Sequence, residues 1–263
     1  MEKLARHWPE YLIEGLLLGI FMLCACFFTA LIEYPGSPLA SPPWSPLTRR
    51  ILIGAGMGLT AVLLIYSPWG RRSGAHMNPS VTLTFLRLGK VSKWDAAFYI
   101  AAQFIGGSAG VLLAVAAFHS VIAHPSVEFI VTKPGTDGVA LAFAGELAIS
   151  FVLMWVILAV SNSSRFAHLT GICAGLLIAA YVSFESPLSG MSMNPARTFA
   201  SALAAGEWTA IWLYFTAPIL GMLLAAEVYT RTHGRGAVGC AKLHHRSGHP
   251  CIFCEHHMKS DPT

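Results

Sequence analysis

Six long apolar runs, at about 11–32, 50–67, 95–118, 139–161, 168–186 and 208–230, alternate with short polar or proline-bearing stretches. Roughly 20 apolar residues cross the hydrocarbon layer of a bilayer, about 30 Å thick. Each run therefore predicts one membrane-spanning helix. Two further apolar stretches, 79–88 and 195–204, are half that length, and each opens on Asn-Pro. Neither can cross a bilayer alone, so both predict re-entrant half-helices. Proline suits the first turn of a helix, where its missing N–H would be unpaired anyway, and Asn is a preferred N-cap.

The two half-helices sit at matching places in a repeat. Glu14 in the first run precedes Gly74-Ala75-His76-Met77-Asn78-Pro79-Ser80-Val81-Thr82, and Glu146 in the fourth precedes Gly190-Met191-Ser192-Met193-Asn194-Pro195-Ala196-Arg197-Thr198. An odd number of spans per copy turns the second copy upside down, so the half-helices enter from opposite faces and meet near the midplane. The pattern predicts an all-α membrane protein: six transmembrane helices plus two re-entrant half-helices in an inverted repeat. Residues 11–230 form the membrane domain, with copies at 11–118 and 139–230. A short N-terminus, 1–10, precedes it and a Cys/His-rich tail, 231–263, follows.

Composition agrees. Of 263 residues, 55% are hydrophobic and only 11% charged, against about 25% charged in an average soluble domain. Lys and Arg, 17 together, barely exceed Asp and Glu, 13 together, so no nucleic-acid surface is indicated. Their distribution is more informative. Lys3, Arg6, Arg71, Arg72, Arg87, Lys90, Lys93, Arg165 and the basic residues of the tail gather on one side, leaving Arg49, Arg50, Lys133 and Arg197 for the other. By the positive-inside rule both termini are expected in the cytoplasm; the expected location is a bacterial inner membrane. The sequon Asn162-Ser163-Ser164 then lies inside and stays unmodified. Leu23-Cys24-Ala25-Cys26 is similar to a lipoprotein cleavage site, but its apolar run carries Glu14 and is long enough to span.

Two helix N-termini meeting inside a membrane make a positive region that repels cations and protons, while Asn78 and Asn194 offer amide N–H groups to a passing oxygen. That arrangement suits a pore for uncharged solutes. No nucleophile with base and orienter, and no phosphate-cradling loop, points to an enzyme. Glu14 and Glu146 are ionisable groups inside spans, where the cost of burial makes a functional role the default. Proton carriage in a secondary transporter is the rival reading.

Gly-Ala-His-Met-Asn-Pro-Ser-Val-Thr and Met-Asn-Pro-Ala-Arg-Thr-Phe resemble the paired signatures of the aquaporin and glycerol-facilitator (major intrinsic protein) family, over about 10–230. The resemblance implies a homotetramer with one pore per subunit. It assigns Asn78, Pro79, Ser80, Asn194, Pro195 and Ala196 to the pore motifs, with Ser80 standing where Ala is usual, a change expected to alter local hydrogen bonding. Glu14 and Glu146 become braces of the re-entrant loops, and His76 a residue of the inner vestibule. Arg197, a charge expected to face water, joins Met57, Val182 and Met191 in the selectivity filter. Val182 and Met57 replace the His and the large aromatic of strict water channels. An apolar constriction with one strong donor discriminates weakly, since a methylene changes a pocket interaction by only about 1–3 kcal/mol. Thr198, Ala202, Tyr214 and Phe215 point the other way, toward water channels. The expected function is passive passage of water and small uncharged solutes, glycerol-sized molecules or metalloid hydroxides included.

The last stretch of the chain is polar and His-rich and is expected to leave the membrane. Cys240, His244, His245, Cys251, Cys254 and His256 lie close together there, and Cys251-x-x-Cys254 has the spacing of a zinc knuckle. The residues fit two readings, a disordered His-rich tail and a metal-sensing module holding zinc. Apart from that zinc, no cofactor is expected.

Overall fold

The computed structural model describes residues 2–40, 42–245 and 251–253. Ten α-helices follow one another among them: α1 Glu2–Glu33, α2 Pro46–Tyr66, α3 Pro68–Ser73, α4 Pro79–Arg87, α5 Lys93–Ile122, α6 Val139–Ser161, α7 Thr170–Phe184, α8 Ser186–Ser189, α9 Pro195–Ala205 and α10 Ile211–His233. Six of these are long and apolar enough to cross a membrane, and α4 and α9 are the two half-helices. The 1–10 segment is not a separate terminus. Helix α1 already runs through it from Glu2, with Pro9 inside.

Packing repeats the inverted symmetry of the chain. Helix α1 lies against α5 and α6 against α10, while α2 and α7 meet between the halves. Each half-helix rests on the last span of the other half, α4 on α10 and α9 on α5. Glycine allows the closest of these contacts. A Cβ added at Gly106 would stand 1.9 Å from the carbonyl oxygen of Gly15, so α1 and α5 touch backbone to backbone. Small residues at a helix crossing permit this approach where lipid leaves no hydrophobic driving force. The outer faces carry exposed Leu12, Leu16, Leu63, Ile105 and Leu113. Exposed tryptophans gather near the ends: Trp8, Trp69 and Trp94 toward one face, Trp208 and Trp212 toward the other, as in an interfacial aromatic belt.

The start of α1, the α3 region and the start of α5 share one face. His7 Nδ1 lies 2.8 Å from Asp95 Oδ1, and Arg72 Nε donates to Glu10 at 2.8 Å. The tail returns to this face. Instead of leaving the molecule, residues 238–245 and 251–253 fold back under the bundle, with Val238, Ala241, Leu243 and Cys251 buried.

Candidate pore and selectivity filter

Asn78 and Asn194 start the two half-helices as expected from Asn-Pro. The Asn78 Oδ1 accepts the Ser80 N–H at 2.8 Å, and the Asn194 Oδ1 accepts those of Ala196 and Arg197 at 3.1 and 3.3 Å. Their amide nitrogens then cross over. Asn78 Nδ2 donates to the Met193 carbonyl and Asn194 Nδ2 to the Met77 carbonyl, each at 2.7 Å. Each NH2 group has two hydrogens, so each keeps one for the space between the loops. Ser80 is buried, and its hydroxyl has no hydrogen-bond partner among the described residues.

The loops before the half-helices are strained. Ala75, Met77, Met191 and Met193 all adopt positive φ between 48° and 56°, a conformation non-glycine residues hold only where surroundings over-determine it. The buried carboxylates do so. Glu14 accepts from the N–H groups of His76 (3.0 Å) and Met77 (2.7 Å), from the Ser73 hydroxyl (2.8 Å) and from Gln103 Nε2 (3.1 Å). Glu146 accepts from the N–H groups of Ser192 (2.6 Å) and Met193 (2.7 Å) and from the Ser189 hydroxyl (2.7 Å). Each carboxylate thus ties two loop N–H groups and a serine hydroxyl to a membrane-spanning helix. The brace has further members that sequence reasoning missed. Tyr99 donates its hydroxyl to the Ser73 carbonyl at 2.7 Å, and Tyr214 does the same for Ser189. Their positions in the two copies were the available signal.

One cavity of about 290 Å³ runs along both loops. Met57, Val182, Met191 and Arg197 all line it, together with His76, Asn78 and Asn194. The four residues assigned to a filter therefore share one cavity. Arg197 is held by its Nη1, which donates to the Ile130 carbonyl at 2.8 Å. That carbonyl is offered by a turn in which Glu128, Phe129 and Ile130 all have positive φ. Met57, Val182 and Met191 contribute apolar side chains to the same lining. Arg50 and Ser186 also line the cavity, unforeseen in the sequence, and Arg50 Nε is engaged with the Ser183 carbonyl at 3.0 Å.

At the other end His76 lies fully engaged. Its Nδ1 is 3.1 Å from the Thr82 hydroxyl, and its ring stacks on Phe85. Its Nε2 meets the Ala241 carbonyl at 2.8 Å, and the second stacking partner is Phe253, at 5.5 Å and 6°. Both of these partners belong to the tail. The Leu243 N–H donates to the Gly74 carbonyl at 3.2 Å, Lys242 Nζ to that of Arg71 at 3.1 Å, and Leu243 completes the cavity wall.

Within the tail, Cys240, His245 and Cys251 bring one donor atom each to within 4.8 Å of one another, and the two sulfurs are 3.5 Å apart. The Cys240 thiol, with His245 and Lys242, brings the Cys251 thiol down to about 3 against the opposing effect of burial. His244 is not in this group. Its ring instead meets Tyr66 edge-on at 5.1 Å. Cys254 and His256 lie outside the described residues.

Residues 10–229 match the family model described as Major intrinsic protein. Aquaporin NIP6-1 of Arabidopsis thaliana is 40% identical over 205 residues, which are 77% of this chain and 65% of that protein. Aquaporin NIP2-3 of Zea mays is 38% identical over 186 residues, 70% of this chain and 60% of that one. The match thus spans less than two-thirds of the length of these curated relatives. They are plant proteins and lend no support to a bacterial inner membrane. The solved structure of the aquaglyceroporin from Plasmodium falciparum shares the fold, with TM-score 0.69 and 22% identity over 85% of this chain and 95% of that one.

Proposed function

This chain belongs to the major intrinsic protein family, and from that premise we propose that it is a passive channel for water and small uncharged solutes, and not an enzyme. The observation that carries the reading is the single cavity on which both Asn-capped half-helices, the loops before them and Arg197 converge. Two helix N-termini and a guanidinium keep the path positive, so cations are refused while neutral oxygens find donors at Asn78, Asn194 and Arg197. The apolar wall of Met57, Val182 and Met191 favours solutes with carbon or metalloid bodies beside water; glycerol is the size to test first. The names of the relatives, aquaporins and an aquaglyceroporin, agree with this range.

We assign both termini to the cytoplasm, because Arg71, Arg72, Arg87 and Lys242 lie toward the face of the α1 start. A homotetramer is the assembly the family suggests. Stopped-flow light scattering of proteoliposomes tests the solute range: vesicles shrunk by external glycerol should re-swell faster with the protein than without it. Re-swelling no faster than in empty vesicles, beside rapid water flux, would restrict the channel to water.

A further inference from the structure

The described tail residues contact four of the elements around the inner mouth. Gly239 donates its N–H to Asn162 Oδ1 at the end of α6 (2.7 Å), the His244 ring meets Tyr66 at the end of α2, and Phe253 meets Tyr99 on α5 at 5.7 Å. Between these points the chain is bonded to the loop before α4 through Gly74 and His76. A segment tied to α2, α5, α6 and that loop must cross the opening they surround. Leu243, only 5% exposed, lies in the cavity wall at that crossing.

The two ends of the segment come together at the Cys240, His245 and Cys251 cluster. Two thiolate sulfurs each about 2.3 Å from a tetrahedral ion stand roughly 3.8 Å apart, close to the 3.5 Å found here. Two sulfurs and one imidazole are a donor set that zinc favours, and three protein ligands leave one tetrahedral position for water. The cluster lies beside the mouth and away from Asn78, Asn194 and Arg197, so an ion there would touch no solute in transit.

We propose that Cys240, His245 and Cys251 form a binding site for a thiophilic divalent ion of the zinc class, and that the bound ion fastens the tail across the inner mouth and closes the pore. The metal joins the segment carrying Leu243 to the one carrying Phe253, so both anchors on the mouth are held or released together. The closure rests on the channel reading above; the site itself does not.

The test uses the full-length protein, purified in reductant so that the two thiols stay reduced. Cobalt(II) serves as a spectroscopic probe and zinc as its competitor. One ion per chain is expected, with thiolate-to-cobalt charge-transfer absorption that zinc abolishes and that Cys251→Ser and Cys240→Ser each remove. In proteoliposomes, permeability should be low with zinc and rise several-fold on adding a chelator. A chain ending at Gly234 should be permeable with or without zinc. Absence of bound cobalt, or a spectrum unchanged in both serine variants, would overturn the site. Equal permeability with zinc and with chelator, while the shortened chain conducts at that same rate, would overturn the closure. If neither chain conducts under any condition, the channel reading fails and takes the closure with it, while the cobalt spectrum still decides the site.

Discussion

Val182 lines the same cavity as Arg197 but offers only methyl groups, so its side chain gives a passing solute no hydrogen-bond partner. Replacing it by His adds a polar contact and bulk. Val182→His should therefore lower glycerol permeability relative to water, and the ratio of the two rates by stopped-flow light scattering checks it; an unchanged ratio would mean that Met57 and Met191 already set the width. Glu14 is a second place where one side chain decides much. Glu14→Ala orphans two backbone N–H groups and a hydroxyl and leaves the Gln103 amide with Thr82 alone, at about 1–3 kcal/mol for each buried donor left unmade. Its thermal-unfolding midpoint in detergent should fall by roughly 5 °C or more. At this scale much was legible. Asn-Pro specifies a helix start by its own chemistry, and the paired glutamates declared themselves by their burial cost. Arg50, Ser186 and the Ile130 carbonyl were not legible, because what brings them to the cavity is a turn and two long-range contacts with no local pattern.

Among the elements, the half-helices depend on charge and the long helices on close approach. Asn194→Asp places a carboxylate at a helix start where the amide now reaches across to Met77. It would lose that donor and reverse the local charge, so solute flux should drop and cation rejection weaken, read as conductance in planar bilayers; wild-type values for both would show that the half-helix starts do not control the path. Gly106→Ala pushes a methyl into the Gly15 carbonyl and should destabilise by about 1–3 kcal/mol. Gly236→Ala, with open space around it, should leave the unfolding midpoint unmoved. Element boundaries followed hydrophobic length closely for α6, and Asn-Pro marked the starts of α4 and α9. They failed at α1, where Pro9 does not stop the helix and polar residues continue it past the apolar run.

As a whole molecule, the chain closes an inverted repeat around one path and then returns its tail to the mouth. The repeat was readable because its motifs recur and an odd number of spans fixes their orientation. The tail was not, because its polar, His-rich composition matches a solvated segment, while the contacts that bury Ala241 and Leu243 join residues more than a hundred positions apart. Through this path uncharged solutes are expected to cross passively and protons not at all. The direct measurement is simultaneous recording of osmotic volume change and internal pH in proteoliposomes held with chelator, with and without an imposed ion gradient. Water and glycerol should move at rates set only by their own gradients, with no proton leak above that of empty vesicles. Solute movement that requires the ion gradient, or acidification in step with the water flux, would show that this chain is not a passive, proton-excluding channel.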